Sequence, residues 1–202
     1  LGETKNYLNE IKKQLPKNIK TNFIFKENSP TIVKKRYVDD ISKSKIIGVY
    51  DINDQILNDK DEKIFNKLLL KEIDKHDMVI VSDYGHGLIS KKSASLICHK
   101  AKFLALNAQV NATNFGYHTI GNYKNFNTLI INEREIRHEM RDNNIKLEIL
   151  MKNLSKEKNI KNIIVTRGAS GAILYYKPKN KFYYSDAYAH KILDKTGAGD
   201  TM

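Results

Sequence analysis

Near the end of the chain, Asp194-Lys195-Thr196-Gly197-Ala198-Gly199-Asp200-Thr201 sets two glycines one residue apart, directly before a carboxylate. Glycines in this arrangement let successive backbone N–H groups converge on an anion, and a helix opening after them adds its partial positive charge. A carboxylate beside a bound phosphate is repelled by it, so Asp200 needs a chemical task. Accepting the proton of an attacking hydroxyl is the natural one, with Gly197, Ala198 and Gly199 as the anion hole. The plain alternative is a helix start with an acidic residue at its positive end.

Other polar or glycine-rich groups fall where apolar runs end. Asn132 and Glu135 follow the run 128–131 and stand one helical turn apart, able to face one way. Equally, Asn132 can simply cap the helix. Thr166-Arg167-Gly168-Ala169-Ser170-Gly171 follows Ile163-Ile164-Val165, and Ser82-Asp83-Tyr84-Gly85-His86-Gly87 follows Met78-Val79-Ile80-Val81. Lys34 and Arg36, two residues apart, share one face of a strand. His86 reads as a turn residue, the other histidines lack metal-ligand spacing, and Cys98 reads as core.

These groups need elements to position them. Tyr7, Leu8, Ile11 and Leu15 recur at helical spacing up to Pro16, which ends the run. Residues 21–26 read as a short strand, 27–30 as a turn, and 31–38 with 45–52 as a hairpin. An amphipathic helix follows over 61–74, then a buried strand at 78–81 and a helix over 91–102. Strands are expected at 103–106, 128–131, 163–166, 172–176 and 181–184. Helices are expected after Asn132 and over 147–154, and 107–127 reads as a long polar stretch. Strands alternating with helices imply parallel βαβ units. The expected fold is therefore a single α/β domain over 1–202: a mainly parallel central sheet, helices on both faces, and the early antiparallel hairpin at an edge or as a lid. In such sheets ligands bind beyond the carboxyl ends of the strands, where the polar groups above fall.

Composition narrows the partners. The chain has 202 residues, 41% hydrophobic and 29% charged, enough for a buried core and unlike a disordered chain. No apolar run approaches the roughly eighteen residues of a membrane span. A single cysteine excludes an internal disulfide framework, and the chain reads as cytoplasmic. The net charge of +12 comes from 30 Lys and 5 Arg scattered along the chain, without a long basic run or aromatic interleaving. Base reading and bidentate phosphate recognition favour Arg, so an anionic small substrate accounts for the charge better than nucleic acid. The chain starts without Met and stops at Thr201-Met202, just where a helix should open. An internal portion of a longer protein, truncated at both ends, is therefore expected.

Taken together, Asp194-x-Thr196-Gly197-Ala198-Gly199-Asp200-Thr201, Asn132-x-x-Glu135 and Val165-Thr166-Arg167-Gly168-x-x-Gly171 resemble, in order and spacing, the signatures of the ribokinase-like (PfkB) carbohydrate kinases. Within that family, Pro30-Thr31-Ile32-Val33-Lys34-Lys35-Arg36 and Val81–Gly87 look most like the kinase domain of heptose 7-phosphate kinases of ADP-heptose synthesis. The likeness covers nearly the whole chain. It implies a ribokinase-like fold and ATP-dependent phosphorylation of a sugar or sugar phosphate hydroxyl. ATP and Mg²⁺ would lie beside Asn132, Glu135, Thr166, Gly168, Gly171 and Thr196, with Mg²⁺ held by Asn132 and Glu135 through water. Asp83 is then a candidate sugar-hydroxyl contact. Lys34 and Arg36 either reach a phosphorylated sugar or stand as solvated edge charges that discourage aggregation. With the composition read above, neither nucleic acid nor membrane is expected as a partner. It leaves room for a homodimer and for a nucleotidyltransferase domain fused outside residues 1–202.

Two segments depart from the heptose kinases' pattern. Gly48-Val49-Tyr50-Asp51 stands where they carry an arginine, and Asn107-Ala108-Gln109-Val110-Asn111-Ala112 where they carry Asp-Pro-Lys. The alternatives are a kinase of an unphosphorylated sugar or nucleoside, or a non-catalytic relative acting as a binding module. Residues 1–202 alone are expected to be inactive, because a helix cannot nucleate from the two residues after Asp200.

Overall fold

The computed structural model describes residues 1–41, 44–109 and 119–188. The chain divides into two compact units, one of residues 1–68 with 86–90, the other of residues 69–85 with 91–202.

The first unit contains helix α1 (Leu8–Gln14), the antiparallel pair β1 (Val33–Val38) and β2 (Lys45–Asp51), and the start of α2 (Asp59–Ile73). Helix α1 is shorter than the spacing predicts. It starts after Tyr7, whose φ of 66° is left-handed, and ends at Leu15, held extended by the following proline. The hairpin is its own two-stranded sheet, separate from the larger one. Residues 21–26 are a correction: they are not a ladder strand. Their backbone meets only the first residues, Lys26 N–H donating to Leu1 O at 2.9 Å and Gly2 bridging Lys26. A Cβ on Gly2 would lie 2.2 Å from Thr31 N, so only glycine admits this approach.

The second unit is built on six strands in chain order: β3 (Val79–Asp83), β4 (Leu104–Ala108), β5 (Thr128–Asn132), β6 (Asn162–Thr166), β7 (Ala172–Tyr176) and β8 (Lys181–Ser185). The first four run parallel, β7 returns antiparallel to β6, and β8, antiparallel to β7, runs in the direction of the first four. Helix α3 (Lys91–Lys100) links β3 to β4, and α4 (Glu133–Met140) with α5 (Leu147–Lys158) links β5 to β6. Register explains the core. Val81, Leu106, Leu129, Ile163 and Tyr175 are successive cross-strand partners, and all are buried on one face. On the opposite face Ile80 is 70% exposed. Helices α4 and α5 pack on β5, β6 and β7. They bury Ile136, Leu147, Leu150, Met151 and Leu154 at helical spacing, each large apolar side chain contributing about 1.5–3 kcal/mol.

The polar stretch expected over 107–127 is also corrected in part. Asn107 and Ala108 finish β4, and Ile120, Tyr123 and Phe126 are fully buried around a short turn of 3₁₀ helix. Three apolar residues three apart, diluted by Asn and Gly, carry too little periodic signal to be read as core.

Candidate active site

Parallel pairing places the carboxyl ends of β3 to β6 at one edge of the sheet. Asp83 and Ala108 are cross-strand partners there, as are Asn132 and Thr166. Residues 131–132 and 165–166 pair side by side, so the structure brings together two segments that lie 34 residues apart in sequence.

Asn132 ends β5 and caps α4. Its Oδ1 accepts from Glu135 N–H at 2.9 Å, and Glu135 Oε2 accepts in return from Asn132 N–H at 3.0 Å. This reciprocal box satisfies two donors that a helix start leaves open. It also holds an amide oxygen and a carboxylate together at the strand end, so the capping role and the pairing of both groups coexist.

A second network adjoins the box. Glu133 Oε1 accepts from Arg137 at 2.8 and 3.1 Å, and its Oε2 accepts from Arg167 Nε at 3.4 Å. The Arg137 hydrogen bond, then its charge and Arg167, hold the Glu133 carboxyl below the ordinary 4.5. Arg167 opens the turn after β6. There Gly168 has φ 58° and Gly171 φ 77°, with Arg167 N–H bonded to Gly171 O at 2.8 Å. A Cβ on Gly171 would sit 1.9 Å from Ser185 O, whereas at Gly168 nothing lies within 4 Å. The turn thus closes on β8 at one glycine and is open at the other. Sequence reasoning passed over Glu133 and Arg167. The i,i+4 spacing of Glu133 and Arg137 was a readable signal for the first; the pairing of β5 with β6 was needed for the second.

Asp83 is buried at 6% exposure. Its Oδ1 accepts from Gly85 N–H at 2.9 Å and its Oδ2 from the Tyr123 hydroxyl at 2.6 Å. Its carboxylate thus faces the core and shapes the turn after β3. Burial, then the Asp83 charge and hydrogen bond, push the Tyr123 phenol far above its ordinary value.

In the first unit, His86 is more than a turn residue. Its Nδ1 lies 2.6 Å from Asp54 Oδ1, its side chain is 8% exposed, and Nε2 is buried without a partner among the described residues. Lys34 and Arg36 lie on β1, opposite Tyr50 and Gly48. Thr196, Gly197, Ala198, Gly199 and Asp200 lie outside the described residues.

Comparison with known proteins places this geometry in a family. The model of the "pfkB family carbohydrate kinase" matches residues 16–202. A curated relative, the "Bifunctional protein HldE" of Aliarcobacter butzleri, is 28% identical over 205 residues, covering 98% of this chain and 41% of its own length. The chain thus spans about two fifths of that relative. Among solved structures, ribokinase from Giardia lamblia aligns with TM-score 0.68 at 18% identity, over 99% of this chain and 62% of its own. Arabidopsis thaliana ribokinase complexed with ribose and ATP gives 0.59 at 17% identity, over 91% and 57%. At such identities the structural likeness establishes the ribokinase-like α/β fold.

Proposed function

The chain belongs to the pfkB family of carbohydrate kinases, and from that footing we propose that residues 1–202 work as one kinase domain of a cytoplasmic protein. It transfers a phosphoryl group from ATP to a hydroxyl of a sugar phosphate of the heptose 7-phosphate kind. The observation that carries this reading is the side-by-side pairing of Asn132 with Thr166 at the carboxyl ends of β5 and β6. Two of the sequence motifs are neighbours in space only because of it.

In this reading the nucleotide lies along Asn132, Glu135, the turn Thr166–Gly171 and Thr196. Open space over Gly168 and the guanidinium of Arg167 suit an anionic ligand. The donor set of Asn132 and Glu135 fits Mg²⁺ held through water. Both offer hard oxygens, each already accepting one N–H, and a carboxylate or amide oxygen retains a lone pair for a water proton. Among the described residues no group of three or more His, Cys, Asp or Glu gathers into a direct cage. The ion, when bound, neutralises phosphate charge.

Asp200 accepts the proton of the attacking hydroxyl as the new P–O bond forms and the bond from the γ-phosphorus to the bridging oxygen breaks, releasing ADP. The N–H groups of Gly197, Ala198 and Gly199 stabilise the charge that builds on the transferring group. Lys34 and Arg36 supply positive charge for the acceptor, and Asp83 shapes the turn after β3.

Replacing Asp200 by Asn in the full-length protein tests the assignment. ATP binding and fold should persist while turnover falls by about a thousandfold or more. Turnover within a fewfold of wild type would remove Asp200 from its role. Product analysis over a panel of heptose 7-phosphate, heptose, ribose and nucleosides identifies the acceptor. Phosphorylation of unphosphorylated sugars alone would replace the heptose phosphate reading.

A further inference from the structure

Helix α3 packs on the 3₁₀ turn of Ile120–Asn122, with Ala94 and Ile97 of the helix and Ile120, Tyr123 and Phe126 all buried. Beside that seam a groove of about 370 Å³ stays open. Along the helix it is lined by Lys91, Ser95, Cys98 and His99, whose i, i+4, i+7, i+8 spacing sets them along one side. Asn122, Lys124 and Asn125 line the other wall. The volume lies at the small end of the range for small-molecule sites, about 300–1,000 Å³, and suits a compact metabolite rather than a dinucleotide.

The chemistry of the lining is one-sided. Lys91 and Lys124 bring positive charge from the two walls, and among the described residues no carboxylate lines the groove to neutralise it. Ser95 adds a hydroxyl, and Asn122 and Asn125 add amide N–H donors. His99 Nδ1 lies 3.1 Å from Ser95 O. A carbonyl only accepts, so Nδ1 carries a proton, and Nε2 becomes a second donor when the ring is protonated. Cys98 is half-buried, and burial pushes its thiol up although the Lys124 backbone N–H donates to the sulfur. Tyr123 stands between the lining residues Asn122 and Lys124, and its hydroxyl donates to Asp83 Oδ2 at 2.6 Å. Asp83 Oδ1 in turn accepts from Gly85 N–H at 2.9 Å. Whatever holds Asn122 and Lys124 in place therefore steadies Tyr123, Asp83 and the turn after β3.

We propose that the groove between α3 and residues 122–125 is a regulatory site for a small polyanion, a phosphorylated or polycarboxylate metabolite, whose binding steadies the turn after β3 through Tyr123 and Asp83. The two ammoniums close on the anion from opposite walls, while the hydroxyl and the amides donate to its remaining oxygens. An ammonium is a point charge without the planar fork of a guanidinium, so the site selects by charge and size and not by phosphate geometry. A neutral sugar gains nothing from it. The coupling is an equilibrium one: the anion favours the state in which Tyr123 holds Asp83. Neither the site nor the coupling depends on which acceptor the protein phosphorylates.

Cys98, the one cysteine of residues 1–202, reports on occupancy. In the full-length protein, without Mg²⁺ or nucleotide, its alkylation by iodoacetamide is followed by peptide mapping with pyrophosphate, citrate or ribose present. Pyrophosphate and citrate should each slow labelling about threefold or more, and ribose should leave it unchanged. Lys91→Glu and Lys124→Glu should each raise the pyrophosphate concentration needed for protection about tenfold. Lys156→Glu, the same charge change on α5, should not. Amide exchange over residues 83–85 should slow with pyrophosphate in the wild type and not in Lys124→Glu. Tyr123→Phe should keep the protection of Cys98 and lose the effect on exchange. Labelling that neither anion slows, or protection that survives both groove variants unchanged, overturns the site. Protection with unaltered exchange over 83–85 overturns the coupling. Neither readout involves turnover, so these outcomes are separate from the success or failure of the kinase reading.

Discussion

Tyr123 shows how one side chain fixes the turn after β3. Its hydroxyl donates to the buried Asp83 carboxylate, and a donor removed from a buried carboxylate costs about 1–3 kcal/mol. Tyr123→Phe should lower unfolding free energy by that amount in denaturant titrations of the full-length protein. The pH sign follows from the raised phenol. The folded state keeps its proton above the ordinary value of 10.0 while the unfolded chain loses it. The contribution is therefore complete below about pH 10 and erodes above it, and the phenylalanine variant should lack this alkaline loss. Gly87 makes a similar argument through the backbone. Its φ is 81°, its carbonyl accepts from Leu57 N–H at 3.1 Å, and a Cβ would sit 1.9 Å from Gln55 O. Gly87→Ala should cost at least about 1–2 kcal/mol, since the left-handed penalty adds to a backbone clash. A variant as stable as wild type would contradict this account.

Helix α4 shows how local signals fix the start of an element at the candidate site. Its start is fixed by the Asn132–Glu135 box, so Asn132→Ala should cost about 0.5–2 kcal/mol of stability. It should also weaken nucleotide binding, a loss that a merely structural cap would not produce. Glu133 adds a dependence on acid. Arg137 and Arg167 lower its pKa, so its contribution is present above the ordinary 4.5 and disappears as pH falls through the depressed folded value. Its side chain is 32% exposed, so solvent screening keeps the effect to no more than about 1 kcal/mol. Stability curves of Glu133→Gln and wild type should differ at pH 7 and converge as the pH falls below the depressed folded value. Much of this element was legible beforehand. Asn-x-x-Glu after an apolar run is a helix start in any context, because the box needs only residues within one turn.

At the scale of the molecule, the net charge of +12 suits the anionic reactants of the proposed reaction. Diffuse positive potential raises encounter rates and is screened by salt. The kcat/KM for the phosphorylated acceptor should fall severalfold between low and ~0.5 M NaCl, with kcat much less affected. A flat salt profile would remove steering from the picture. Among the described residues no helix is long and apolar enough to cross a membrane. The α/β alternation and the family followed from the pattern of apolar runs and from three short motifs, since both are written in nearest-neighbour order along the chain. What the pattern misjudged were the segments whose fate depends on distant partners. Residues 21–26 alternate like a strand but find no strand to pair with, and residues 120–126 look polar yet bury Tyr123 and Phe126.

Sequence alone therefore determined the fold class, the family and the cap and glycine turn at the strand ends, because caps, glycine turns and strand periodicity act over a few residues. Only the tertiary structure decided that Arg167 meets Glu133, that Asp83 turns inward to Tyr123, and that Lys45 and Tyr50 close over Gly48 beside Arg36. Each of those depends on how strands pair and how whole faces bury against one another, a property that no short window of sequence contains.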